Sequence, residues 1–141
     1  MTRASDSLYR LLDSTPAGIA VLYGPQHVFA VVNPRYELLV NRPAADLLGK
    51  PLKDALPETA EQGFVALLDH VRESGEPYLG NEVEVSFHEP GSADRTIYVD
   101  FVYQPMPDDE GAIDRILVHA TEVTKQVLAR REVESLAKDL E

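Results

Sequence analysis

The sequence predicts an α+β fold in which a five-stranded antiparallel sheet packs helices on one face, with a short N-terminal helix and a coiled-coil-like C-terminal helix. Two apolar runs, residues 19–23 and 28–32, have the length of strands and flank a Gly-Pro turn. Prolines then break the middle of the chain into short helical segments. In the second half, apolar residues recur at strand spacing in three further segments, which predicts a largely antiparallel sheet.

The elements of the N-terminal half follow from local signals. Leucines at helical spacing within residues 7–14 predict a short helix. The two apolar runs and their turn predict a β-hairpin. Asn33 and Pro34 come directly after this hairpin and suit the N-cap and first position of a helix. Three prolines divide residues 42–57 into short helical turns, and residues 59–74 then carry the apolar face of one amphipathic helix.

The C-terminal half predicts three strands and a final helix. The strands are expected within residues 82–87, 96–104 and 113–123. From Thr124 the pattern becomes that of a charged helix, and its apolar residues follow the 4-3-4 spacing of a coiled-coil seam. The seam residues are Ala129, Val133, Leu136 and Leu140. Because such a seam has no use in a monomer, we expect a homodimer.

Composition limits the classes of function. The chain has 141 residues, a length that suits one domain. It has no cysteine, which excludes disulfides, thiolate metal sites and cysteine nucleophiles. The net charge of −11 argues against binding to nucleic acid or to anionic lipid. Apolar runs are too short to cross a bilayer, and no signal peptide is predicted, so we expect a cytoplasmic protein.

Five short segments in order resemble the PAS family of sensory domains. They are residues 11–19, 31–39, 47–52, 101–106, and 109–111 with 116–124. The resemblance runs from about residue 11 to residue 125 and implies a PAS-like fold. It divides the chain into an N-terminal cap helix (1–14), a PAS sensory domain (15–124) and a C-terminal linker or signalling helix (125–141).

The resemblance also implies where a signal and a ligand would act. Glu122, Val123 and Thr124 lie where many PAS domains place an Asp-x-Thr junction before the output helix, although here Glu replaces Asp. A carboxylate at this place is expected to anchor the strand end by a charged hydrogen bond. Residues between helices and sheet in a PAS layout could line a ligand pocket, or could simply fill the core. These candidates are Tyr36, Phe64, Leu68, Phe101 and Tyr103, with His119 as a possible ligand donor.

No cofactor is predicted with certainty. The light-sensing flavin and coumarate types of PAS domain need a cysteine, which this chain lacks. Haem types use a histidine on the long helix, where His70 lies, but its charged neighbours favour an ordinary half-exposed residue. No marker favours a non-covalently held flavin. His27 and His88 are expected to be solvated, and the four histidines lack the spacing of a metal site.

The function predicted for this chain is non-catalytic. A PAS sensory and dimerisation module would pass a ligand or partner state through the C-terminal helix to an output domain, with a histidine kinase or a diguanylate cyclase favoured. One alternative is a protein-interaction module with a filled core. A second is a small α+β enzyme in which His119 or His70 pairs with a carboxylate inside the cavity.

Overall fold

The computed structural model describes residues 16–88, 91 and 93–140. Within them, five antiparallel strands form one sheet in the order β2-β1-β5-β4-β3. The strands are β1 (Gly18–Tyr23), β2 (Val28–Val32), β3 (Tyr78–Phe87), β4 (Arg95–Pro107) and β5 (Ile113–Glu122). The predicted sheet is therefore confirmed. The predicted N-terminal helix, with Leu8, Leu11 and Leu12, lies outside the described residues.

Six helices accompany the sheet in the described part of the chain. They are α1 (Pro34–Val40), α2 (Ala44–Leu47), α3 (Leu52–Ala55), α4 (Pro57–Glu61), α5 (Phe64–Ser74) and α6 (Thr124–Asp139). Pro34 and Pro57 open helices, as their fixed φ favours. None of these six helices is both long enough and apolar enough to cross a membrane.

The single helix predicted for residues 59–74 is wrong, because the chain turns between two helices there. Gly63 takes a left-handed φ of 92° and stands as the N-cap of α5. Gln62 is drawn to the sheet, where its side-chain amide exchanges two hydrogen bonds with the backbone of Ser86 in β3 (2.7 and 2.8 Å). A tertiary contact thus ends α4 where the apolar period alone would continue it.

The core lies between the inner face of the sheet and the short helices. Alternate residues along β4 are buried, from Ile97 to Tyr103, and they meet buried residues of α1, α3 and α5. A bulge between Gly80 and Val83 interrupts the pairing of β3 with β4, and there Glu82 takes a φ of 52°.

Asn33 joins the first helix to the first strand. Its side chain is 1% exposed, and its Oδ1 accepts hydrogen bonds from the backbone N–H groups of Tyr36 (2.9 Å) and Ile19 (2.8 Å). Its Nδ2 donates to the carbonyl of Ala17 (3.0 Å). The predicted N-cap is therefore confirmed, and the same side chain also fixes the start of β1.

Charged side chains tie the helices to the edge of the sheet. The guanidinium of Arg95 lies 4.9 Å from the centroid of the Phe87 ring and donates to the carbonyl of Leu39 at the end of α1 (2.7 Å). Glu58 in α4 is only 4% exposed, and its Oε1 lies 3.1 Å from Nη2 of Arg42. Because the pair is buried, removing either partner would leave the other charge without compensation and destabilise the fold.

Candidate functional site

A small apolar cavity lies between the helices and the inner face of the sheet. It holds about 70 Å³ of free space and is lined by sixteen residues, of which all but Tyr36, Tyr103 and Thr59 are apolar. The Thr59 hydroxyl donates to the carbonyl of Leu56 (2.7 Å), so it is already engaged. The wall carries no charged side chain among the described residues.

Four of the six predicted pocket residues line this cavity. They are Tyr36, Phe64, Phe101 and Tyr103. Leu68 is fully buried in the core but does not line the cavity. The placement of His119 is corrected: it is exposed on the outer face of β5, because its neighbours Val118 and Ala120 occupy the inner face. A ligand-binding role for the four lining residues stays a prediction.

Phe101 is the centre of an aromatic cluster along one wall of the cavity. Its ring centroid lies 4.8 Å from that of Tyr103, 5.8 Å from that of Tyr78 and 5.9 Å from that of Phe64. Gly80 makes room for the ring, since a Cβ at this glycine would lie 2.4 Å from a Phe101 ring carbon. The lack of a side chain at residue 80 therefore sets the position of the wall.

Gly80→Ala is expected to push the Phe101 ring and destabilise the fold by roughly 1–3 kcal/mol, the usual cost of overpacking. The φ of Gly80 is not in the left-handed region, so the clash is separated from backbone strain. Equilibrium unfolding in urea measures the change. Combining Gly80→Ala with Phe101→Leu should recover part of the loss, and strictly additive losses would show that the ring is not the obstacle.

The two tyrosines in the wall are polar groups in apolar surroundings. Tyr36 and Tyr103 are each 7% exposed. Burial raises the pKa of both phenols, and the nearby Tyr36 phenol further raises the pKa of Tyr103. Both hydroxyls therefore stay protonated at physiological pH and are available as hydrogen-bond donors.

The histidines do not form a site with the cavity. The prediction that His27 is solvated is wrong: it is 1% exposed in the turn before β2, and its Nε2 lies 2.7 Å from Oδ1 of Asp69 in α5. His88 is exposed and pairs with Asp94 (2.9 Å), whose hydrogen bond raises the pKa of this imidazole. His70 is exposed and does not line the cavity. Among the described residues, no group of three potential metal ligands comes together.

The junction between β5 and α6 is bound to β4 by two hydrogen bonds, both made with the backbone of Tyr98. The N–H of Val123 donates to the carbonyl of Tyr98 (2.7 Å), and the N–H of Tyr98 donates to Oγ1 of Thr124 (3.0 Å). Thr124 is the first residue of α6. The end of the last strand and the start of the helix are thus fixed to the same place in the sheet.

The first turns of α6 pack against β4 and the bulge of β3, away from the cavity. Val127 is buried, and Arg131 stacks over the Tyr98 ring (4.8 Å) and donates to its hydroxyl (2.9 Å). Arg130 makes a two-pronged ion pair with Glu82 in the β3 bulge, and its hydrogen bond lowers the pKa of that carboxyl. All four predicted seam residues, Ala129, Val133, Leu136 and Leu140, are exposed.

A family model described as a PAS fold matches residues 12–128 of the chain. The chain belongs to the PAS family. The predicted PAS fold is likewise confirmed. The boundaries 1–14, 15–124 and 125–141 stay a prediction.

Solved structures share the fold of this PAS domain at low sequence identity. The RNA-binding light-oxygen-voltage receptor superposes with a TM-score of 0.73 at 18% identity, over 97% of this chain and 37% of the receptor. The PAS domain of BvgS from Bordetella pertussis superposes with a TM-score of 0.68 at 23% identity, over 97% of this chain and 98% of the BvgS domain. A sensory box sensor histidine kinase from Vibrio cholerae superposes with a TM-score of 0.60 at 18% identity, over 88% of this chain and 94% of the kinase structure. The chain therefore spans little more than a third of the receptor.

The junction of this PAS domain is anchored differently from the sequence-based expectation. Glu122 is exposed, and among the described residues its carboxylate forms no ion pair, so it does not supply the expected charged anchor. The side chain of Thr124 and the backbone of Val123 hold the junction instead. Apolar Tyr98 and Val102 on the second face of β4 predicted that this face is also covered, but the sequence did not identify the backbone of Tyr98 as the partner of the junction.

Proposed function

We propose that this PAS domain is a non-catalytic sensory and dimerisation module of a signalling protein. A change in its cavity would pass through β5 and α6 to an output domain, for which a histidine kinase or a diguanylate cyclase is favoured. It would work in the cytoplasm, in keeping with a chain that lacks cysteine.

One observation carries this proposal: the strand that lines the cavity continues directly into the exit helix. Val118 and Ala120 of β5 line the cavity, and Thr124 begins α6 only four residues after Ala120. Because Tyr98 holds both Val123 and Thr124, a shift of β5 against β4 would tilt the start of α6. Two packings of the sheet would thus give two positions of the helix.

The exposed seam of α6 supports a dimer. Val133, Leu136 and Leu140 are 65%, 57% and 89% exposed, and they share one side of the helix. The sheet-facing side of the same helix carries Val127 and Arg131. The seam therefore points away from the sheet, where the α6 of a second chain could pack against it.

Light scattering over a dilution series tests the dimer. We expect a molar mass twice that of one chain, which falls on dilution as the dimer dissociates. A mass of one chain at every concentration would contradict the dimerisation part of the proposal.

A second candidate is an interaction module with a filled core. The small cavity favours it, since about 70 Å³ is well below the several hundred Å³ of ordinary ligand pockets. An enzyme using this cavity is not supported, because neither His70 nor His119 lines the wall, and the pairs His27–Asp69 and His88–Asp94 involve no lining residue. The net charge of −11 also argues against RNA binding, because an acidic surface repels the phosphate backbone.

A further inference from the structure

The outer edge of β3 is open in the part of the chain that the structure describes. β2 and β3 lie at the two ends of the sheet. The edge of β2 is already engaged, because Phe29 exchanges backbone hydrogen bonds with Gly49 (2.9 Å) and Lys50 (3.1 Å). No described strand pairs with the outer edge of β3. Unpaired backbone groups on such an edge are a template for a further strand.

The side chain of Gln62 shows which backbone groups of β3 point outward. Its amide accepts a hydrogen bond from the N–H of Ser86 (2.8 Å) and donates one to the carbonyl of Ser86 (2.7 Å). These are the two bonds that a residue of a neighbouring strand would make. Because backbone groups alternate between the two edges of a strand, the N–H and C=O of Glu84 also point outward. No described residue bonds to either group of Glu84.

Side chains close this edge at both of its ends. In the bulge of β3, the N–H of Glu82 donates to Oδ1 of Asp100 (2.8 Å). At the end of the strand, the N–H of His88 donates to Oε2 of Glu58 (3.4 Å). Between these bonds, two residues present outward N–H and C=O groups, and only one of the two is covered, by an exposed side chain.

The groove along the outer edge of β3 is acidic. It holds about 540 Å³ of free space and is lined by Glu61, Gln62, Glu84, Ser86 and His88. Glu61 and Glu84 are exposed and form no ion pair with any described residue. Neither lysine nor arginine is among the described residues of its wall. A basic chain would therefore be attracted here, and the net charge of −11 adds to the attraction.

We propose that the outer edge of β3 binds an extended, basic segment of a partner protein, which pairs with Glu84 and Ser86 as an additional strand and displaces the side chain of Gln62. Backbone hydrogen bonds supply affinity, and basic side chains at alternate positions face Glu84 on the outer face of the sheet. A second copy of this chain fits less well, because pairing two β3 edges brings like charges together. The inference goes beyond the proposed function and does not depend on it.

Three synthetic peptides of one length test this docking site on the full chain. The first alternates lysine with valine, the second alternates glutamate with valine, and the third is the first with every backbone nitrogen methylated. Amide NMR titration locates binding and gives dissociation constants. We expect the lysine peptide to shift the amide signals of Glu84 and Ser86. In excess, it should also slow hydrogen exchange of the Glu84 N–H by about 10-fold or more.

The other two peptides separate strand pairing from attraction by charge alone. The glutamate peptide should not bind, because its charge matches that of the groove. The methylated lysine peptide keeps its charge but has no N–H donors, so we expect it to bind at least about 10-fold more weakly than the first. Equal binding of the methylated and unmethylated peptides would overturn the inference. Amide shifts away from β3, or no binding of the lysine peptide, would overturn it as well.

Substitutions in the chain test the role of each side chain. Gln62→Ala removes the competitor for Ser86 and should tighten binding of the lysine peptide by about 5- to 10-fold. Without peptide, the Ser86 N–H of this variant should exchange faster than in wild type. Glu84→Gln should weaken binding several-fold, whereas Asp114→Asn, at an exposed aspartate of β5 outside the groove, is the matched control and should not. Unchanged affinity in Gln62→Ala, or equal effects of the two charge substitutions, would contradict the proposal.

Discussion

Replacing Asn33 by alanine is expected to destabilise the domain by roughly 3–5 kcal/mol, a large part of the stability of a single domain. Among the described residues, the change removes three hydrogen bonds, made to Ile19, Tyr36 and Ala17. The N–H of Ile19 loses this side-chain acceptor, and an unsatisfied N–H of this kind costs about 1–3 kcal/mol. The N–H of Tyr36 loses the same acceptor but keeps the backbone carbonyl of Asn33 (3.1 Å). The new cavity cannot admit water easily, because Asn33 is only 1% exposed. Urea unfolding followed by far-UV circular dichroism measures the loss.

Two variants show whether the loss comes from these bonds. Leu38→Ala changes the same helix at a side chain that is 71% exposed, and we expect an effect within about 0.5 kcal/mol. Asn33→Asp retains an acceptor for Ile19 and Tyr36 but loses the donor to Ala17, so an intermediate loss is expected. A loss below 1 kcal/mol for Asn33→Ala would mean that other groups hold α1 to β1.

Val133→Asp is expected to weaken the dimer by about 100-fold or more, since each dimer would bury two uncompensated carboxylates in its seam. Val133 is the second of the four seam residues and is exposed in the single chain, so its substitution should leave the fold intact. Sedimentation equilibrium of wild type and variant gives the two dissociation constants.

The matched control places the same charge on another side of the same helix. Leu128 is 52% exposed, comparable with Val133, but lies outside the 4-3-4 series. Leu128→Asp should therefore leave the dissociation constant within a few-fold of the wild-type value. If both variants remain dimers, the contacts lie elsewhere, and the predicted helix with Leu8, Leu11 and Leu12 becomes the next surface to test. Equal weakening by both variants would contradict a seam confined to the predicted positions.

Local signals were sufficient for most of the fold. Asn33 followed by Pro34 marked the start of α1, and the turn after residue 23 marked the hairpin, because capping and turn geometry depend on adjacent residues. The break at Gly63 was missed, since its cause is the contact of Gln62 with Ser86, twenty-four residues away. An apolar period carries no information about such a contact.

The site was predictable where alternation along a strand decides the face of the sheet. Phe101 and Tyr103 were placed correctly for this reason, whereas His119 was misplaced although the same alternation puts it opposite Val118. The burial of His27 and the pairing of Arg130 with Glu82 were not predicted. Both depend on partners more than forty residues away, and no local pattern encodes them.

Hydrogen exchange of α6 most directly tests whether the cavity communicates with the exit helix. Ala120→Leu would fill the cavity from β5, in place of a ligand, and His119→Leu is the control on the outer face of the same strand. We expect Ala120→Leu to change the exchange rates of amides in the first two turns of α6 several-fold, while His119→Leu leaves them unchanged. Unaltered α6 exchange in Ala120→Leu, with altered exchange in β4 and β5, would contradict the proposed relay.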